Sequence, residues 1–249
     1  MGLCVSQPTV SRVVNRVTRV VTARANDFIK WPDESEARRI KQRFYEISGI
    51  PNVIGAIDGT HCRIQAPCAR EFEYINRKQY HSINAMVVAT PQLTAVAVNC
   101  RFPGRSHDSR VFKESTLYSD FQNGRKLGIL LGDSAYAAER FLLKPILRPR
   151  TDEERRYTEG VCKGRVVVEN FFGVLKRQFH ILHAEMRYTP IKASRIIATA
   201  ICFRNFAAVC NEPVFEDDFF DEEQPEIQET ADPASGSATQ RLIIQQFFS

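Results

Sequence analysis

Apolar positions recur at helical spacing near the start of the chain. Val10, Val13, Val14, Val17, Val20 and Val21 fall on one stripe, and Ser6 can cap a helix beginning at Gln7. A second helix is predicted from Asp33 to Ile47, after Trp31-Pro32, because Gly49 and Pro51 follow as stop signals. Asn52 to Asp58 reads as an apolar strand that ends on a carboxylate. Ile83–Ala89 and Thr94–Val98 read as two strands joined by a turn containing Pro91. Gly128 to Gly132 is a further short strand, ending on Asp133. Glu139 to Lys144 is predicted as a short helix, and the highly charged residues 150–164 as a mobile loop. A helix then runs from Arg165 to about Phe179, and a last one from about Pro190 to Val209. In the last helix Ile196, Ile197, Ala200, Ile201 and Phe203 are available to the core.

The polar side of the first helix changes the picture. Thr9, Ser11, Arg12, Asn15, Arg16 and Arg19 lie away from the valine stripe. The stretch Val5 to Arg12 looks like the opening of a helix-turn-helix recognition helix, whose N-terminal polar residues meet base edges and whose arginines meet phosphates. The pattern equally fits an ordinary amphipathic surface helix. Such a motif needs earlier helices, and the sequence starts too late to hold them, so residues 1–30 are expected to be a partial module. Residues 31–50 are then a helical linker, 51–211 the main domain and 212–249 a tail.

Charge adds to this division. The 249 residues carry a net charge of +5. Ten acidic residues and no Lys or Arg lie between Glu212 and Asp232, which leaves 33 basic against 19 acidic groups in residues 1–211. A body that basic suits a polyanion partner. The acidic run and the following Pro233-Ala-Ser-Gly-Ser-Ala predict disorder, with Ile243, Ile244, Phe247 and Phe248 as a candidate docking segment. No run of eighteen apolar residues occurs, so no membrane-crossing helix is expected. Seven cysteines occur with no pair two residues apart, against a zinc knuckle, and their odd number without a secretory signal points to a reducing compartment. Met1-Gly2-Leu3-Cys4-Val5-Ser6 fits a myristoylation pattern, although Ser6 has the alternative use as a helix cap.

Three acids stand out by position. Asp58 and Asp133 end strands, and Glu169 sits early in a helix. Sites of α/β proteins collect at the carboxyl ends of strands. Phosphodiester hydrolysis needs a positioned water and neutralisation of the charge that grows on the phosphate. Divalent cations held by a few carboxylates supply both. On the predicted helix Val168, Phe172, Leu175 and Phe179 form the core stripe, while Glu169 and Gly173 share a neighbouring face. Lys176 and Arg177 add positive charge for a DNA backbone. His180 and His183, three apart, lack an accompanying acid set and read as packing or surface residues.

Four blocks occur in order: Ile57-Asp-Gly-Thr-His61, Phe102-Pro-Gly-Arg-Ser-His-Asp-Ser-Arg110, Leu131-Gly-Asp-Ser-Ala-Tyr136 and Val168-Glu-Asn-Phe-Phe-Gly-Val-Leu-Lys176. Together they resemble the nuclease domain of the Harbinger transposases and their domesticated animal relatives, over about residues 52–206. The resemblance implies an α/β, ribonuclease-H-like mixed sheet flanked by helices, and a nuclease cutting DNA with a divalent metal cation, Mg or Mn. It implies Asp58, Asp133 and Glu169 as catalytic acids and metal ligands, with Asp108 as a further ligand; Asp108 fits a turn-forming role as well. His61 and His107 would orient phosphate or ligands, or make structural hydrogen bonds. Arg12, Arg16, Arg19, Lys176 and Arg177 are the expected DNA contacts. Family members act with a separate Myb-like DNA-binding partner and are nuclear, so a nuclear location (cytoplasm also) is expected, and homo-oligomerisation is left open. The chain departs from the family at Tyr157-Thr-Glu-Gly-Val161, where a Tyr-Asn-x-x-His segment is usual. The alternative is a catalytically inactive DNA-binding scaffold on the same fold.

Overall fold

The computed structural model describes residues 5–213 and 234–248. Most of the acidic run and the first four residues lie outside them. The framework is a five-stranded sheet in the order β3-β2-β1-β4-β5. The strands are β1 (Val53–Arg63), β2 (Ser82–Ala89), β3 (Ala95–Pro103), β4 (Ile129–Leu131) and β5 (Leu142–Leu143). The β1–β2 and β2–β3 pairs are antiparallel, and the β1–β4 and β4–β5 pairs parallel. With helices packed on it, this mixed sheet is the α/β, ribonuclease-H-like arrangement expected. Both α7 and α8 pack on strand β2, which is buried at every position, so apart from Ser82 and Asn84 it reads as an apolar run and does not alternate.

Helices α1 (Gln7–Ala23), α2 (Ala25–Phe28) and α3 (Glu34–Ser48) precede the sheet. The short helices α4 (Glu71–Tyr74), α5 (Asp108–Lys113) and α6 (Thr116–Gln122) occupy its connections. Helices α7 (Asp152–Gln178), α8 (Pro190–Val209) and α9 (Ala234–Phe247) follow. α7 packs on β1, β2 and β4, whereas α8 packs on β3 and β2 and carries α1 and α2. A capping box starts α3: Asp33 accepts from the Glu36 N–H at 2.8 Å, and Glu36 accepts from the Asp33 N–H. Gly49 ends it at φ +69°.

Several expectations are corrected. The charged residues 150–164 are not a loop but the first half of α7, a 27-residue helix. Asp152, Glu153 and Glu154 favour its positive N-terminus, and Arg155 pairs with Asp152 at 2.7 Å. Beneath those charges Tyr157, Val161 and Val168 continue the buried stripe. Gly160 and Gly164 allow close packing: a Cβ there would stand 2.4 Å from the Ser48 carbonyl oxygen and 2.2 Å from Leu131 Cδ1 respectively. The stretch that departs from the family pattern thus serves packing, with the Tyr157 hydroxyl donating to the Lys144 carbonyl at 3.1 Å.

The segment expected as a helix over 139–144 instead forms β5, because Leu142 and Leu143 pair in register with Leu130 and Leu131. Residues 31–50 are no linker: Phe44 and Ile50 are fully buried in the core. Part of the expected disordered tail is ordered as α9. Ile243 is buried, Gly236 lies against the Ala138 carbonyl, and the Phe248 ring meets Tyr157 edge-on at 5.9 Å. Of the apolar residues offered as a docking segment, Ile243, Ile244 and Phe248 therefore dock on the chain's own body, while Phe247 is exposed.

Helix α1 also differs in detail. Its inward face is centred on Thr18, with Val14 and Val21 half-buried, while Val10, Val13, Val17 and Val20 are exposed. Thr18 is tolerated inside because its hydroxyl donates to the Val14 carbonyl at 2.8 Å. Ser6 is the N-cap residue, but its hydroxyl pairs with the Thr9 hydroxyl at 2.9 Å and caps no backbone N–H.

Candidate active site

The site is built from β1, the turn after β4, the start of α5 and the middle of α7. Asp58 does not end its strand; β1 continues to Arg63 because residues 56–63 pair with β2 throughout. One Asp58 oxygen accepts the Gly59 N–H at 2.8 Å, and the other faces Arg165 Nη2 at 3.2 Å. Arg165 lies one helical turn before Glu169 on α7, and the same Nη2 stands 3.4 Å from Glu169 Oε1. Asp133 stands one residue beyond β4, after Gly132, is buried, and accepts the Ala135 N–H at 3.0 Å. Its charge acts on Arg165 alongside those of Asp58 and Glu169. Asp58 and Glu169 thus contact one buried guanidinium, and Asp133 acts on it electrostatically.

Asp108 opens α5 and accepts from Asn84 Nδ2 at 2.6 Å. Gly59 makes room for this contact, since a Cβ there would stand 2.1 Å from Asp108 Oδ1. Asn84 is itself buried in β2, with its second amide hydrogen bond to the Ser106 carbonyl at 2.9 Å. The buried Tyr136 completes the cluster.

The electrostatics follow from placing acids in a dry setting. Burial pushes the Asp58 carboxyl up to about 8, against the pull of Arg165 and with help from Asp133 and Asp108. Burial raises Asp133 as well; Arg165, the backbone N–H groups of Ala135 and Tyr136, and Lys144 oppose it. The Tyr136 phenol is raised by burial and by the three aspartates, so it stays neutral. His61 is lowered to about 4, by burial first and then by Lys176, Lys78 and Arg77. Its Nδ1 meets the Ser82 hydroxyl at 3.0 Å, so it is an uncharged hydrogen-bonding residue. His107 pairs with Arg77 at 2.6 Å, and burial and that arginine lower it too.

The structure brings Asp58 and Glu169 together on Arg165, with Asp133 within electrostatic reach of both Asp58 and Arg165, and sets Asp108 beside Gly59. Of the residues expected to touch DNA, Arg12, Arg16 and Arg19 are exposed on α1, which packs against α8 and stands apart from the acids. Arg177 is half-buried, and Lys176 is buried, so its charge acts on the site through proximity to His61 and not as a surface contact. His180 and His183 lie with ring centroids 6.5 Å apart. Sequence reading missed Arg165, Asn84 and the basic pair Arg77-Lys78. For Arg165 a signal existed: it precedes Glu169 by four, a same-face spacing that already lay within the expected helix.

A profile of DDE superfamily endonucleases matches residues 57–205, a span that contains Asp58, Asp108, Asp133, Arg165 and Glu169. The chain belongs to that family. It is 35% identical to human HARBI1, which carries a provisional nuclease designation, over 208 residues, or 82% of this chain and 60% of the relative. The frog Xenopus laevis HARBI1 is 29% identical over the same length and shares. An ALP1-like protein of Arabidopsis thaliana is 26% identical over 202 residues, 73% of this chain and 48% of that one. The chain thus spans about 60% of the length of the HARBI1 relatives it matches. No solved structure matches it.

A family of this kind implies a divalent cation, and the donor set fits one in type. Asp58, Asp133, Asp108 and Glu169 offer hard oxygen ligands, and the Asn84 side-chain oxygen beside them is buried without a hydrogen-bond partner. The spacing is not yet closed: among the described residues, no three His, Cys, Asp or Glu groups converge closely enough to hold an ion.

Proposed function

We propose that the chain provides the catalytic domain of a divalent-metal-dependent nuclease, transposase or transposase-derived, that hydrolyses DNA phosphodiester bonds. The observation that carries this reading is the pairing of Asp58 and Glu169 with one buried guanidinium, on which Asp133 also acts electrostatically, all inside the family-matched span. Asp58 and Asp133 would hold the Mg or Mn ion, joined by Glu169 and Asp108. Such an ion, when bound, supplies Lewis-acid charge at the phosphate and activates a water.

The chain's own groups do the rest. Backbone N–H groups fix Asp58 and Asp133, so the carboxylates need little reordering. Asn84 aims Asp108 and leaves its own carbonyl oxygen toward the cluster. His61, kept neutral and bonded to Ser82, holds the far end of β1 in register. Excess positive charge over residues 1–211 draws a polyanion, with Arg12, Arg16, Arg19 and Arg177 as phosphate contacts and buried Lys176 adding to the field. A nuclear site of action and a Myb-like DNA-binding partner belong to the same reading, and pull-down of that partner by the full chain tests it.

Cleavage of supercoiled plasmid with Mn²⁺ or Mg²⁺ is the deciding experiment. Metal-dependent nicking that disappears in a folded Asp133→Asn variant is the expected result; nicking retained by that variant overturns the reading. A second reading, a non-catalytic DNA-binding scaffold, is favoured by one observation, that a guanidinium sits among the acids where a metal would be needed. DNA binding without nicking at any metal concentration would select it.

A further inference from the structure

Arg165 is an unusual neighbour for a set of metal-ligand carboxylates. Its side chain is only 8% exposed, and its Nε is buried without a hydrogen-bond partner. One of its Nη atoms reaches both Asp58 and Glu169, at 3.2 and 3.4 Å. A buried guanidinium that gives up one of its donors is held by charge and not by complete hydrogen bonding. Glu169, half-exposed at 50%, pairs back along its own helix with Arg165.

We propose that Arg165 is the resident counter-cation of the site: it holds Asp58 and Glu169 while no metal is bound, and its guanidinium gives way when a divalent ion enters. The inference rests on the metal-dependent reading of the same residues. Its physical basis is that clustered buried carboxylates need a compensating positive charge in either state. A metal ion and a guanidinium cannot share the same oxygens without mutual repulsion. Arg165 is therefore a positioning residue for the metal-free site, and release of Glu169 from it is part of assembling the loaded one.

Thermal melting of the full chain at about pH 8.5, where Asp58 is mostly ionised, with and without saturating Mn²⁺ tests this. Without metal, Arg165→Gln is expected to melt roughly 5–15 °C below the native protein, the scale set by leaving a buried ion pair half-removed. Saturating Mn²⁺ should erase most of that deficit, because the ion replaces the missing charge. In an Asp58→Asn background, where less negative charge needs compensation, Arg165→Gln should cost clearly less; this second comparison guards against a variant that simply folds poorly. A deficit that persists unchanged in Mn²⁺, while the native protein is itself stabilised by Mn²⁺, overturns the inference and leaves the nuclease reading intact. If neither protein responds to Mn²⁺, both fall. No deficit in the absence of metal overturns the counter-cation role by itself.

Discussion

Asn84 Nδ2 donates to Asp108 Oδ1 at 2.6 Å, tying the middle strand of the antiparallel ladder to the first residue of α5. The aspartate was legible as a candidate from its block, but its orienting partner lies 24 residues earlier in an all-buried strand. Hydrogen bonds to charged groups contribute about 1.5–3 kcal/mol, and loss of a residue that orients a ligand typically lowers activity about 10–100-fold. Asn84→Ala is expected to reduce plasmid nicking by about tenfold or more while Asp108→Ala in the same background adds little further loss. Unchanged nicking in Asn84→Ala would mean that Asp108 serves only the turn.

Gly59 gives a second, purely steric handle on the same aspartate. A methyl group at this position would stand 2.1 Å from Asp108 Oδ1 and 2.9 Å from Asn84 Oδ1. Gly59→Ala should displace Asp108 and cost about 1–3 kcal/mol, the usual range for overpacking. Denaturant unfolding reads the stability, and Mn²⁺ titration reads the site. The expected outcome is weaker Mn²⁺ binding beyond what the modest stability loss explains.

The Asp58 carboxyl, pushed up to about 8 by burial, sets a pH dependence for the metal-free protein. The unfolded chain ionises this group near its ordinary value of 3.8. Between these values the native state binds the extra proton, so stability is fully present at low pH and declines as pH rises toward 8. Asp133, also raised, acts in the same direction. His61 acts oppositely below its ordinary 6.5, because its native form resists protonation down to about 4. Melting temperatures between about pH 6.5 and 8 isolate the acids: the native protein should lose stability as pH rises, and Asp58→Asn should lose less. A flat profile for the native protein would contradict the burial argument.

The sheet and the acids were legible because strands buried on both faces leave apolar runs, and because the carboxylates that interrupt or follow them have no place in a core. The boundaries failed where charge concealed periodicity. Asp152 to Lys163 looks like a loop by composition, yet Tyr157, Gly160 and Val161 keep one face for the core. Helix α9 was hidden by its neighbours: an acidic run and a Pro-Ala-Ser-Gly stretch dominate the composition around a short apolar stripe. Arg165 was overlooked for a different reason: a single arginine does not stand out in a basic chain, although its spacing of four to Glu169 lay within the expected helix. Thr18 shows the remaining limit: which side of α1 faces inward is set by its packing against α8, not by its own hydrophobicity.

Helix α9 should contribute measurably to stability, because Ile243 is buried against the core and Gln240 donates to the Lys144 carbonyl at 3.3 Å. Truncating a buried isoleucine to alanine typically costs about 2–5 kcal/mol. Ile243→Ala should therefore lower the unfolding free energy from denaturant titration by a comparable amount, and Leu242→Ala, at an exposed neighbouring position, should barely move it. Equal effects of the two substitutions would show that the helix does not dock in this register.

The arginines of α1 provide the last test. Arg12, Arg16 and Arg19 are exposed, and α1 has no acidic residue in its first turn to neutralise them. If they neutralise phosphates, each neutralised phosphate releases condensed counterions, and on duplex DNA it adds about 0.9 to the slope of log affinity against log salt. Replacing all three with glutamine should reduce the slope by about 2–3 and weaken binding similarly across unrelated sequences. Because α1 packs on α8, apart from the helix that carries Glu169, Mn²⁺ affinity should stay as in the native protein. An unchanged salt slope would assign the basic face of α1 to something other than DNA, and its exposed Val10, Val13, Val17 and Val20 would then become the more informative side of the helix.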